Sequence, residues 1–95
     1  MSSQTANPEQ AGFQGEIPPV EPLITEVIAT LALAAHAYLA DDNGKQPDLG
    51  AAECAIDIAS NAFERVKERL RPDERLALTQ MLTETRMTFV KKRGV

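Results

Sequence analysis

The segment 23–40, LITEVIATLALAAHAYLA, constrains this chain most, because fourteen of its 18 residues are apolar. Its large apolar side chains recur at spacings of three and four, which is the period of an α-helix. Two partner helices in a small domain cannot cover an apolar surface that extends around most of a helix. The segment therefore predicts a first helix that packs inside the domain and also contacts another polypeptide.

The length of the chain leads to the same expectation. Of its 95 residues, the first 20 are polar, rich in Pro and Gly, and without Lys or Arg, which predicts a disordered tail. A short recognition segment at Phe13 and 17–19 is the alternative. Domains below roughly 70–80 residues usually need disulfides, metals or oligomerisation. The single cysteine, Cys54, excludes an intrachain disulfide, and one histidine argues against zinc, so oligomerisation remains.

Three helices are predicted, at about 22–40, 49–70 and 72–91. Asn43 and Gly44 favour a chain reversal after the first helix, and Asp48 is a suitable N-cap for the second. Pro72 suits the first turn of the third helix, where the helix dipole also favours the acids that follow it. Short connections make consecutive helices antiparallel neighbours. We therefore expect residues 21–93 to form an all-α, three-helix antiparallel unit that assembles as a homodimeric helical bundle.

One wide apolar face of the first helix is the expected interface. Its members are Ile24, Val27, Ile28, Leu31, Ala35 and Tyr38. Small residues behind them, such as Ala29 and Ala32, would let another helix approach closely. A charge at Leu31 or Ala35 is expected to disrupt the assembly. The sequence leaves open whether the partner is a second copy or an unidentified protein.

The charge of the chain is unevenly distributed around a net charge of −4, which argues against general nucleic-acid binding. Residues 1–57 carry nine acids and one base, whereas residues 58–95 carry five acids and nine bases. Antiparallel helices explain this asymmetry by pairing opposite charges within the fold. The expected neighbours are Glu21 and Glu26 with the bases at 65–71, and Lys91–Arg93 with Asp41, Asp42 and Asp48.

Four bases surround the connection between the second and third helices, and we call them the basic elbow: Arg65, Lys67, Arg69 and Arg71. A solvated face paired with nearby acids is the expected role. The alternative is a small regulator whose elbow binds the phosphates of a nucleic acid or of a phosphorylated ligand, although no aromatic platform lies nearby. That alternative predicts a salt-sensitive complex that is lost when Arg69 and Arg71 are changed to Ala.

A membrane location is not expected. The segment 23–40 approaches the roughly 20 apolar residues of a membrane span, but Glu26 lies inside it and Glu21 and Asp41 flank it instead of basic residues. The first residues also lack the basic region and apolar run of a signal peptide. The expected location is the cytoplasm.

Candidate chemistry is sparse. His36 lacks a nearby carboxylate on its own helical face, so we expect a polar residue at the edge of the first helix. Cys54 lies beside Glu53 and Asp57, so we expect a small, partly buried packing residue. Asp57 and Arg86 are equally far from the connection between the last two helices, which predicts a structural ion pair that sets their register. No motif indicates catalysis, a metal site or a cofactor. We therefore expect a non-enzymatic interaction or scaffold protein.

Several segments resemble domain-of-unknown-function family 1844, a group of short bacterial proteins. The matching positions are Leu31, Ala32, Ala35 and Leu39; Ala52, Ile56 and Asp57; and Pro72, Glu74, Leu78, Leu82, Arg86, Met87, Phe89 and Val90. They cover residues 24–90 and imply a small, soluble, helical bacterial protein without an assigned activity. The chain departs from the family at its Gly-Asn, which is Glu68-Arg69 here, and at its Gln, His and Gly, which are Ala34, Tyr38 and Ala40.

Overall fold

A computed structural model describes residues 17–41 and 44–94, which form an all-α, three-helix unit. Helix α1 covers Val20–Leu39, helix α2 covers Leu49–Val66 and helix α3 covers Pro72–Lys92. A 3₁₀ turn at Lys67–Arg69 extends α2. Residues 1–16 of the predicted disordered tail lie outside the described part of the chain.

The three helices run up, down and up. Val20 and Ile24 at the start of α1 lie beside Ala62 and Val66 near the end of α2, so α1 and α2 are antiparallel. Helix α3 is antiparallel to α2 and parallel to α1, because its C-terminal Lys92 lies within 3.4 Å of Asp41, which follows α1. Each helix therefore contacts both of the others.

The core lies between the three helices and forms two clusters. The larger one contains Ile28, Ala59, Phe63, Val66, Leu70, Leu78 and Leu82, and the smaller one contains Ala35, Ala55 and Ile56. Full burial of a side chain such as Ile or Leu contributes about 1.5–3 kcal/mol. Buried alanines, among them Ala32, Ala52 and Ala59, let the backbones of α1 and α2 lie close together.

Helix α2 ends at Val66, four residues before the predicted end. Leu70 is extended, with φ −94° and ψ 154°, and its backbone N–H donates to the Lys67 carbonyl at 3.2 Å. Two causes act together: Pro72 disfavours helical geometry at Arg71, which has ψ 154°, and the turn carries Leu70 into the core, where it is buried.

Local side-chain contacts define the starts of α2 and α3. Asp48 Oδ1 accepts a hydrogen bond from the Ala51 N–H at 3.0 Å, which satisfies a backbone donor that the helix leaves unpaired. Glu74 Oε1 accepts from the Arg71 N–H at 3.1 Å. The loop before α2 is fixed by the Asp48 N–H, which donates to the Tyr38 carbonyl at 2.8 Å. Gly44 has φ 76° in this loop, a conformation that side chains disfavour.

Candidate docking face

An exposed apolar surface runs along α1 on the side next to α2. Val20, Leu23, Val27 and Tyr38 are each 41–45% exposed, although all four are large and apolar or aromatic. Half-buried Leu31 joins them at the edge of the core. We call these five residues the docking face. Its central part lines an open groove of about 420 Å³ that Glu26 and Thr30 also border.

The docking face continues onto α2. Val20 and Ile24 line a second groove, of about 370 Å³, together with Ala62, Val66 and the elbow residues Arg65 and Arg69. Ile58, one helical turn before Ala62 and therefore on the same side of α2, is 50% exposed. The apolar surface is thus two helices wide, and Arg65 borders it on the α2 side.

The structure divides the six predicted interface residues into two sets. Ile28 and Ala35 have no exposed surface and pack against α2 and α3 within the same chain, so neither can contact a second copy. Ile24 and Leu31 are half-buried, and Val27 and Tyr38 are exposed. The reason is that the predicted face is wider than the surface that α2 and α3 can cover. One part of it fills the core of the same chain, and the other part remains exposed.

Two members of the docking face, Val20 and Leu23, were not predicted. Val20 was assigned to the tail because the first helix was expected to begin at about residue 22, but α1 begins at Val20. The spacing of seven residues between Val20 and Val27 was the available signal, since it places both side chains on one helical side. Leu33 is more exposed, at 71%, but it projects from a different side of α1.

The predicted pair Asp57 and Arg86 lies on facing helices and lines one groove of about 230 Å³. The Arg86 guanidinium donates a hydrogen bond to the Ser60 hydroxyl. Four ion pairs closer than 4 Å join residues within the described ranges, and Asp57 belongs to none of them. The two helices have the predicted register to within one turn, and the arginine contacts the residue three positions after the predicted partner.

Three of the four cations of the basic elbow form ion pairs within the chain. Lys67 Nζ lies 2.8 Å from Glu64, Arg69 Nε lies 2.7 Å from Glu21, and Arg71 lies 2.9 Å from Asp73. These contacts raise the pKa of Lys67 and Arg71 and, from the other side, lower the pKa of Asp73.

The sequence predicts that the acidic start of the first helix lies beside the basic elbow, and the contact between Glu21 and Arg69 is of this kind. The pKa of Glu21 lies below its usual range, first because its carboxylate accepts a backbone hydrogen bond and second because Arg69 binds it. Lys92 with Asp41 is the corresponding contact at the other end of the unit. Asp42 lies outside the described residues.

His36 is an exposed polar residue on α1 that reaches α3, whereas Cys54 has surroundings that differ from the expected ones. His36 Nε2 lies 3.1 Å from the hydroxyl of Thr85, which is fully buried on α3. Because that hydroxyl donates to the Met81 carbonyl at 2.8 Å, it accepts from the Nε2–H of His36. Cys54 is exposed rather than partly buried. No group of three potential ligands in the described ranges could hold a metal ion.

By length and composition alone, α1 could cross a membrane, and it is the one such helix among the described residues. It lies near the N-terminus, and the core helix of a soluble protein or a signal sequence meets the same criteria. No family model matches the chain, and neither the curated proteins nor the solved structures contain a match to it. The resemblance to domain-of-unknown-function family 1844 therefore stays a prediction.

Proposed function

We propose that this chain is a non-enzymatic interaction or scaffold protein that acts as a homo-oligomer, with two copies joined through the docking face. The supporting observation is the run of four large side chains on α1, Val20, Leu23, Val27 and Tyr38, that fold into position yet stay 41–45% exposed. Scattered apolar residues on a surface are ordinary. Large apolar side chains grouped around one open groove, as Leu23, Val27 and Leu31 are here, are typical of a protein–protein interface.

The composition of α1 supports the same proposal. Between Pro22 and Ala40 the chain has one charged residue, Glu26, so this helix has almost no polar side to offer to water. A helix that is apolar nearly all round is stable only when most of its surface is covered. Helices α2 and α3 cover one side of α1, and a second copy would cover the docking face.

The alternative function, binding of a nucleic acid or a phosphorylated ligand at the basic elbow, has weaker support. Lys67, Arg69 and Arg71 each bind a carboxylate of the same chain. A phosphate would have to displace these carboxylates or share the cations with them. The attraction that a cluster of several unpaired cations exerts on a phosphate backbone is reduced accordingly.

A pair of matched variants tests the proposal. Val27→Glu places a charge in the middle of the docking face, and Leu33→Glu places the same charge on another exposed side of the same helix. The mass of each protein would be measured by light scattering behind a sizing column at micromolar concentration, with circular dichroism to check helicity. We expect the wild type and Leu33→Glu to have twice the 10.3 kDa chain mass, and Val27→Glu to be a helical monomer.

A monomeric wild type, or a dimer that persists in Val27→Glu and is lost in Leu33→Glu, would contradict the proposal. A charge at Ala35 is unsuitable for this purpose, because that residue is fully buried and the change would test folding instead of assembly. The elbow alternative is tested separately by titrating a labelled oligonucleotide and inorganic polyphosphate at low and high salt. Salt-sensitive binding that disappears in an Arg69→Ala, Arg71→Ala double variant would favour that alternative.

A further inference from the structure

We propose that the groove between α2 and α3 binds a free α-amino acid with an apolar side chain. The groove has a volume of about 230 Å³. This volume lies between that of the roughly 150 Å³ cavity that holds benzene and those of the roughly 300–1,000 Å³ pockets that hold drug-sized ligands, so it suits a small molecule. No residue of the groove belongs to the docking face, so binding here is independent of the proposed homo-oligomer.

The floor of the groove is apolar. Ile56 on α2 is 4% exposed and belongs to the smaller core cluster, and Phe89 on α3 packs against that cluster. Val90 lines the same groove and is exposed. An apolar side chain placed here would lie against the edge of the core and cover Val90, and the removal of such surface from water is favourable. The floor therefore favours ligands that have an apolar part.

The two walls of the groove carry opposite charges. Glu53 and Asp57 lie one helical turn apart on α2, whereas Arg86 and Arg93 lie two turns apart on α3, and all four line the groove. Because α2 and α3 are antiparallel, Asp57 and Arg86 are at one end of the groove, and Glu53 and Arg93 are at the other. Each end therefore has a carboxylate on one wall and a guanidinium on the other.

These charges do not neutralise one another across the groove. None of the four groups belongs to an ion pair closer than 4 Å within the described ranges. Each arginine instead contacts a group without net charge: Arg86 donates to the Ser60 hydroxyl, and the Arg93 guanidinium lies 5.3 Å from the centre of the Phe89 ring. A guanidinium has five N–H donors, so these contacts orient both arginines and leave donors for a carboxylate, which arginine binds through two parallel hydrogen bonds.

The balance of the charges indicates the class of ligand. Two carboxylates and two guanidiniums sum to zero, so a simple anion such as phosphate would be attracted by the α3 wall and repelled by the α2 wall, and a simple cation the reverse. A molecule with a carboxylate and an ammonium on the same carbon presents each charge to the wall of opposite sign. With an apolar side chain on the floor, this molecule is an apolar α-amino acid.

Titration with amino acids tests the proposal. L-leucine, L-valine and L-phenylalanine would each be added at millimolar concentration to the isotope-labelled full chain, and the chemical shifts of its amide groups would be recorded by NMR. We expect saturable shifts at residues 53–57 and 86–93. N-acetyl-leucine, which lacks the ammonium, and leucine amide, which lacks the carboxylate, should each bind about tenfold more weakly than leucine, because a hydrogen bond to a charged group is lost.

Two double variants test the wall that holds the carboxylate. Arg86→Gln with Arg93→Gln removes both charges of the α3 wall, and because both side chains are exposed the fold should persist. We expect this variant to bind leucine about tenfold more weakly than wild type. Arg65→Gln with Arg71→Gln is the control, since it removes two exposed arginines at the other end of α2 and α3, and it should bind leucine as tightly as wild type.

Three results would overturn the proposal. The first is the absence of saturable shifts in the groove with all three amino acids. The second is equally tight binding of N-acetyl-leucine and leucine, which would show that the groove recognises a carboxylate alone. The third is unchanged binding of leucine by the variant of the α3 wall. None of these results bears on the proposed homo-oligomer, which is tested by the mass of the protein in solution.

Discussion

Helices α1 and α3 are nearly equal in length, 20 and 21 residues, but they are stable for different reasons. Helix α3 has local signals at both ends: Pro72 and two acids in its first turn, and Lys91 and Lys92 in its last. Helix α1 has no side-chain cap at its start and one acid in its first turn, Glu21. Local sequence thus specifies α3, whereas α1 depends on what covers its sides.

The exposed apolar residues of the two helices differ in their neighbours. Leu76, Met87 and Val90 of α3 are exposed, but Arg86 and Lys91 line the groove around the last two. Long basic side chains can lie along apolar surface while their charges stay in water. The docking face of α1 has no such cover except at its edges. Similar exposure therefore has a different meaning in the two helices.

The largest expected effect comes from the buried side of α1. Ile28→Ala removes a side chain with no exposed surface, and changes of this kind cost about 2–5 kcal/mol of the free energy of unfolding. Leu33→Ala is the matched control on the same helix, because Leu33 is mostly exposed, and it should cost less than about 0.5 kcal/mol. Urea unfolding followed by circular dichroism measures both. Equal losses of stability in the two variants would mean that α1 does not have one side in the core and another outside it.

The sequence was sufficient for the helices because their signals are local. Periodicity, Pro72 and the N-cap at Asp48 act within a turn or two, and they locate three helices with the loops between them. The end of α2 was less predictable, since Leu70 leaves the helix to enter a core whose composition depends on all three elements. The antiparallel order also followed from loop length, and with it the contacts of Glu21 and Lys92.

The site was harder to predict, because it depends on how far each helix rotates about its own axis. Apolar residues cover so much of α1 that its sequence does not distinguish Ile28, which fills the core, from Val27, which remains outside. The rotation of α2 and α3 about their own axes likewise decides whether Arg86 contacts Asp57 or Ser60. The hydrogen bond between His36 and Thr85 likewise joins two helices that are not consecutive, and no spacing in the sequence indicates it.

A smaller effect on stability is expected from the side-chain hydrogen bond at the start of α3, a contact that α1 lacks. Glu74→Ala removes the carboxylate that accepts from the Arg71 N–H, and such contacts at helix starts contribute about 0.3–1.5 kcal/mol. Glu84→Ala, in the middle of α3, is the control and should be close to neutral, because alanine favours helices. Urea unfolding of both variants checks the difference. A loss in Glu84→Ala as large as in Glu74→Ala would show that the position at the helix start has no special role.

The smallest effect concerns the one acid in the first turn of α1 and depends on pH. The pKa of Glu21 is lowered from its ordinary 4.5, first by a backbone hydrogen bond and then by Arg69. The folded chain therefore holds this proton less tightly than the unfolded chain does. The stabilisation is complete above about pH 4.5 and is lost as the pH falls through the lowered pKa. Glu21→Gln should therefore be less stable than wild type at pH 7 and approach it at lower pH.

Thermal unfolding of wild type and Glu21→Gln between pH 3 and pH 7 measures this convergence. Glu84→Gln is the control, because Glu84 is exposed on α3, away from the docking face, and forms no ion pair closer than 4 Å within the described part of the chain. Its unfolding temperature should follow that of wild type at every pH. Curves that stay parallel for wild type and Glu21→Gln would mean that neither the backbone hydrogen bond nor the contact with Arg69 makes the charged form of Glu21 stabilise α1. The start of this helix would then be held by Val20 and Ile24 against α2 alone.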